Sequence, residues 1–235
     1  EKTKFNVLAF DQGGIYIGVD YDATVRAFEK LGATNARELY SQVNQTDIVD
    51  KFERNEVSED VFYHYLRDQL QGLDSNVINQ DLYRAWNAML TGVIPGVLEF
   101  IKSLRDAGYI TIVVSNADRI HQEGVEKQLA DEGYSDWFNE KSFNEIYISC
   151  QIGLNKPSVN IFNHITKKLQ NKFPEKNIRL DEILVIDDSK KHIYGRNRSK
   201  DEGAINAGWK GLLVPSNLPI NIFQKLLLDQ LELIY

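Results

Sequence analysis

The chain has 235 residues, 43% hydrophobic and 26% charged, a balance that fits a globular fold and excludes a disordered or fibrous chain. Asp and Glu number 34 against 27 Lys and Arg, for a net charge of −7. Overall electrostatics therefore give no reason to bind nucleic acid or an anionic membrane, and an anionic substrate would need a locally positive site. The single Cys150 forms no intramolecular disulfide, and His64, His121, His164 and His192 are too scattered for a zinc motif. No run of 18 apolar residues and no signal-like segment occurs, so a cytoplasmic location is expected. The chain opens on Glu1 rather than Met, which fits an upstream segment removed or left out. Its length suits one large fold carrying an insertion, or two domains.

Phe5–Phe10 reads as the first strand: short, apolar and followed by loop residues. Between Tyr16 and Thr91 the pattern predicts no strand. Helices are expected over Asp22–Leu31, Thr34–Val43 and Thr46–Phe52, over a segment capped by Ser58 and running through Leu70, and over Asn76–Leu90. Within this interval Phe62, Tyr63, Tyr65, Tyr83 and Trp86 read as core packing. Strand and helix then alternate. Helices are predicted over Pro95–Ala107, Arg119–Glu132, Ser158–Leu169 and Pro219–Leu231. Strands are predicted over Ile110–Val114, Ile146–Ser149, Ile183–Ile186 and Gly211–Val214. Strands joined by crossover helices imply an α/β core, a mainly parallel sheet covered on both faces, with a helical bundle inserted after the first strand.

In an open parallel sheet, ligands bind beyond the carboxyl ends of the strands. The first strand ends in Phe10-Asp11-Gln12-Gly13-Gly14, the second in Val114-Ser115-Asn116 and a later one in Ile186-Asp187-Asp188-Ser189; Asn155-Lys156-Pro157 precedes a helix. Gathered at one edge, these supply three carboxylates, one ammonium and a Ser/Asn donor pair. Three carboxylates would repel one another and a phosphate unless a hard cation such as Mg²⁺ offset them. With one, Lys156, Ser115 and Asn116 would hold phosphate oxygens, and a strand-end Asp could attack phosphorus. Each signal alone also has a bland reading, as a turn, a solvated helix start or paired surface acids. The ordered set is what carries the expectation.

These segments resemble the haloacid dehalogenase superfamily, in its phosphatase branch with a helical cap, from Phe5 to about Val214. The resemblance implies a Rossmann-like core over residues 1–15 and 92–235 and a C1-type cap over residues 16–91. It implies Asp11 as the nucleophile, Ser115 and Asn116 as phosphate-binding residues, and Lys156 as the residue that orients the nucleophile and neutralises phosphate. Asp11, Asp187, Asp188 and the main-chain carbonyl of Gly13 would hold Mg²⁺. The implied partner is a small phosphorylated metabolite, with a sugar phosphate as one candidate. Natural substrate and oligomeric state are not legible.

Two departures from the family pattern carry information. Most of these phosphatases have a second Asp two residues after the nucleophile as general acid and base; here that position is Gly13. The alternative to a phosphatase is therefore a catalytically weak or silent phosphometabolite-binding protein. A phosphomutase, which depends more on that group, is disfavoured, as is a dehalogenase. The second departure is a segment from Lys190 to Lys200, longer than the family usually carries and holding five basic residues. It reads either as a solvated loop or as a contact for a substrate anion through Arg196 and Arg198.

Overall fold

The computed structural model describes residues 4–40, 47–136, 142–197 and 199–232. Its centre is a sheet of five parallel strands in the order β5-β4-β1-β6-β7. These are β1 (Val7–Phe10), β4 (Ile110–Ser115), β5 (Glu145–Ile148), β6 (Ile183–Asp187) and β7 (Lys210–Leu213). β1 lies in the middle, with Phe10 level with Val113 of β4 and Ile186 of β6. The carboxyl ends of the three central strands are thereby flush.

Alternation sorts the side chains of β1 onto two faces. Leu8 and Phe10 pack with Leu98 and Ile101 of α6 (Val97–Asp106), Val125 and Leu129 of α7 (Arg119–Asp131), and Phe223 and Leu227 of α11 (Ile220–Glu232). Val7 and Ala9 face Ile161, Phe162 and Ile165 of α9 (Val159–Lys172), and Trp209. Burying such Ile, Leu and Phe side chains contributes about 1.5–3 kcal/mol each. Trp209 is also anchored by its indole N–H, which donates to Thr166 Oγ1 at 2.9 Å.

Between the first two core strands in sequence, five helices build a third apolar cluster. They are α1 (Tyr21–Lys30), α2 (Ala36–Leu39), α3 (Asp47–Glu53), α4 (Glu59–Gln69) and α5 (Asn79–Asn87). Phe28, Phe52, Phe62, Leu66, Leu82 and Trp86 fill its interior, with the Phe52 and Phe62 rings stacked 4.2 Å apart. Ser58 caps α4 as expected, its hydroxyl accepting from the Val61 N–H at 3.3 Å.

The interval also holds something periodicity did not predict. β2 (Ile17–Val19) and β3 (Leu90–Val93) form an antiparallel ribbon where the chain leaves and re-enters the core. β2 has three residues with a glycine at its centre, too short for an alternating pattern to register. At Gly18 a Cβ would meet Thr91 Oγ1, so a larger residue there would have to turn the Thr91 side chain aside. The helix expected to run to Leu90 accordingly stops at Asn87. The helix expected over Thr34–Val43 is seen only as the single turn α2, and residues 41–46 lie outside the described residues. Two further short helices, α8 (Ser149–Ile152) and α10 (Lys190–Tyr194), follow strands β5 and β6. No helix among the described residues is long and apolar enough to cross a membrane.

Candidate active site

The flush strand ends bring the sequence-predicted residues together. Asp11 follows β1, with its N–H bonded to the Ile186 carbonyl at 2.9 Å. Lys156, fully buried, projects its ammonium between two carboxylates, 3.0 Å from Asp11 Oδ1 and 2.6 Å from Asp187 Oδ2. Asp187 is held again on its other oxygen, by the Ser189 N–H at 2.8 Å and by His192 Nδ1 at 3.0 Å. Burial alone would raise the Asp187 carboxyl, but Lys156 and His192 outweigh it and hold Asp187 well below the usual range. Burial would likewise lower Lys156, yet its two carboxylate neighbours keep it above its ordinary value and charged. Asp11 is the freer partner: burial and the charge of Asp187 push it up against the pull of Lys156.

Asn116 serves this arrangement from behind. Its amide donates to the Lys156 carbonyl and accepts from the Lys156 N–H, both at 2.8 Å. The side chain expected to hold a phosphoryl oxygen thus clamps the loop that carries Lys156. Ser115, buried at the end of β4, lines the cavity beside Asp11.

Asp188 lines the same cavity as Asp11. Gly14 has φ +76°, and a Cβ there would run into the Asp188 carboxylate, so the glycine makes the space that Asp188 occupies. Ser216 Oγ donates to the same carboxylate. Burial first, and then the charge of Asp11, push Asp188 up to about 7. Carboxylates pressed together in this way fit a hard cation, and the oxygen donors here (Asp11, Asp188, the Gly13 carbonyl) match Mg²⁺. Asp11, Asp187 and His192 also present ligand atoms within 4.8 Å of one another. In that group Asp187 is also engaged by Lys156, Ser189 and His192.

A sequence profile of haloacid dehalogenase-like hydrolases matches residues 10–195, most of the chain and all of the strand-end segments just described. The chain belongs to this family. As a haloacid dehalogenase-like hydrolase it is 26% identical over 191 residues to a D-ribitol-5-phosphate phosphatase of Bacteroides thetaiotaomicron, a match covering 80% of this chain and 84% of that protein. Its fold resembles an alanine variant of a family enzyme from the same organism in complex with magnesium and inorganic phosphate. The TM-score is 0.74 at 20% identity, covering 94% of this chain and 98% of the other. A hydrolase of the same type from Porphyromonas gingivalis gives a TM-score of 0.67 at 22% identity, covering 95% and 98%.

In this hydrolase a cavity of about 160 Å³ opens beside Asp11, Ser115 and Asp188 and extends under the helices. Several of its lining residues were not predicted. Asp118 is buried, caps α7 by accepting from the His121 N–H at 2.9 Å, and accepts from the Trp86 indole N–H at 2.9 Å. His121 stacks on Trp86 at 5.0 Å and sets Nδ1 3.0 Å from Asp118. Burial favours the neutral ring, but Asp118 overrides it and raises His121 above its ordinary value. Asp118 follows Asn116 by two residues and was open to the same strand-end argument. Glu53, inside a charged helical segment, gave no signal at all. Of the aromatics read as packing, Phe62 and Tyr63 are buried in the helical cluster, while Trp86 and Tyr65 also line the cavity. Tyr16 is fully buried against Phe143 and donates to Gln12 Oε1 at 3.0 Å.

In the basic segment Arg196 is paired within its own loop. Its guanidinium grips Glu202, with contacts of 2.7–3.1 Å, and closes the loop on itself. Arg198 lies outside the described residues. The segment's contribution to the cavity comes instead from Lys191 and His192.

Proposed function

We propose that this hydrolase cleaves a small phosphate monoester through an aspartyl-phosphate on Asp11, with Mg²⁺ as cofactor and a neutral polyol or sugar as the leaving group. The observation that carries the reading is the Lys156 ammonium 3.0 Å from Asp11 at the edge of the cavity. The ribitol phosphate relative supports the substrate class. Residues 1–15 and 92–235 serve as the catalytic core and residues 16–91 as the cap.

Asp11 attacks phosphorus as the ester oxygen departs, forming an acyl phosphate that water then cleaves, regenerating the carboxylate. Lys156 draws Asp11 toward its ionised form against burial and the charge of Asp187 and, with Ser115, balances charge on the phosphoryl oxygens; Asn116 holds Lys156 in place. Asp187 fixes the ammonium, and Asp11, Asp188 and the Gly13 carbonyl would hold the metal. Mg²⁺ supplies charge compensation and orientation for the phosphate.

Gly13 favours a second reading, a phosphometabolite-binding protein without turnover, because the position offers no proton-transfer group. Assay with p-nitrophenyl phosphate and Mg²⁺ separates the two. Turnover that disappears in Asp11→Asn and on chelation with EDTA, and returns with added Mg²⁺, is the expected result. Phosphate binding without turnover supports the binder.

A further inference from the structure

Trp86 ties the helical insertion to the core. Its indole N–H donates to Asp118 Oδ2 at 2.9 Å, and its carbonyl faces His121 Nε2 at 3.0 Å. His121 Nδ1 lies 3.0 Å from the same Asp118 oxygen, and the imidazole is stacked on the indole with the ring planes 12° apart. One residue on, the Asn87 amide donates to the Ile120 carbonyl at 3.1 Å. Trp86 and Asn87 end α5, whereas Asp118 caps α7 and Ile120 and His121 lie in its first turn. Trp86, Asp118 and His121 all line the cavity.

Both ring nitrogens of His121 thus face acceptors. A neutral imidazole has one N–H and meets one of them; the imidazolium has two and meets both. Its charge also pairs with Asp118 and rests on the indole face. Burial favours the neutral ring, but Asp118, the Trp86 carbonyl and, from α3, Glu53 hold it above its ordinary 6.5. Around Asp118 stand the Tyr40 and Tyr63 hydroxyls and the Cys150 thiol, all pushed up by burial and uncharged at neutral pH. Arg119 turns instead to Glu59 of α4 at 3.7 Å.

We infer that His121 is a positioning residue: acting through Trp86, it holds the helical insertion on the core and fixes the indole as a wall against the leaving group. The inference rests on the phosphatase reading above and adds to it a pH-dependent control of substrate binding. The protonated ring tightens the wall, and losing the proton as pH rises gives up one of the two contacts.

Trp86 is one of three tryptophans, and an imidazolium in contact quenches indole emission more than the neutral ring does. Wild-type emission should therefore rise with pH, with a midpoint above about 6.5. The rise should be absent in Trp86→Phe, and in Asp118→Asn its midpoint should fall by about one unit or more. In His121→Gln, KM for p-nitrophenyl phosphate, whose leaving group enters the cavity, should be raised about fivefold near pH 6. Variant and wild type should converge by about pH 9.5, where the wild-type ring is neutral as well. A KM ratio that is the same at both pH values marks a merely structural residue and overturns the inference, as does wild-type emission without a Trp86 titration. Should His121→Gln fail to fold, the emission titration and its shift in Asp118→Asn decide alone. Wild-type protein that does not turn over p-nitrophenyl phosphate brings down the phosphatase reading, and the inference with it. Turnover with a pH-independent KM ratio brings down the inference alone.

Discussion

Two buried charged clusters border the same cavity and solve the burial problem in different ways. At the sheet edge, one ammonium is set between Asp11 and Asp187, with His192 and a main-chain N–H completing the shell. Under the helices, Asp118 is held by Trp86 and His121, while Glu53 rests on a shared amide and a raised pKa. In the first cluster Lys156 stays charged and Asp187 ionised, while burial and Asp187 push Asp11 up; in the second, Glu53, pushed up to about 7, can change its protonation near neutral pH. The fixed Lys156–Asp187 pair suits an anchor for the nucleophile beside it.

The sharpest way to break the contrast is Lys156→Met. It strands two buried carboxylates, and losing one partner of such a cluster costs about 3–5 kcal/mol. Urea unfolding should show a loss of that size, and phosphatase turnover should vanish. Next comes a gain. Gly13 has no left-handed backbone requirement, and a Cβ there would meet only Val19 Cγ1, at 3.3 Å. With Val19 giving by a few tenths of an ångström, Gly13→Asp should supply the proton-transfer group missing from the site. Turnover of an alkyl phosphate, whose leaving group needs a proton, should rise roughly 10²-fold relative to p-nitrophenyl phosphate. A variant that folds and shows no such rise would mean that proton transfer does not limit this enzyme.

A smaller effect lies in stability against pH. The folded pKa of Glu53 is about 7, against an ordinary 4.5, so between those values the folded state holds a proton that the unfolded chain has released. Its contribution is full below about pH 4.5 and is lost as pH rises through 7. His121, also raised, acts in the same direction from about its unperturbed 6.5 upward. Thermal melts of Glu53→Gln should thus decline less steeply than wild type between pH 5 and 8, without becoming flat. The smallest expected effect is that of Arg196→Ala. It removes a partly exposed ion pair worth no more than about 1 kcal/mol, and should leave KM for p-nitrophenyl phosphate within twofold.

The core strands were legible because each is a short apolar, often β-branched run followed by loop residues. The sheet-edge cluster was legible for a related reason: Asp11, Ser115 and Asp187 stand at or just past strand ends, and Lys156 just before a helix, where the chain itself fixes their position. Glu53 and His121 were not, because helix packing across many residues of separation brings them to the cavity. The β2–β3 ribbon escaped notice since three residues with a central glycine carry no period. Asn116 shows a third limit. Its place was read correctly, yet its side chain proved to hold the Lys156 main chain, a distinction that only distances make.

Strand alignment has a consequence for how activity can be lost. Leu8 and Phe10 fill one layer while the smaller Val7 and Ala9 fill the other, so a slip of β1 by one residue would put large side chains where small ones fit and small ones where large ones are needed. The same slip would swing Asp11 away from Lys156. Steric selection within the hydrophobic layers thus doubles as quality control on the chemistry: a molecule that has packed its interior correctly has, by that act, already aimed its nucleophile.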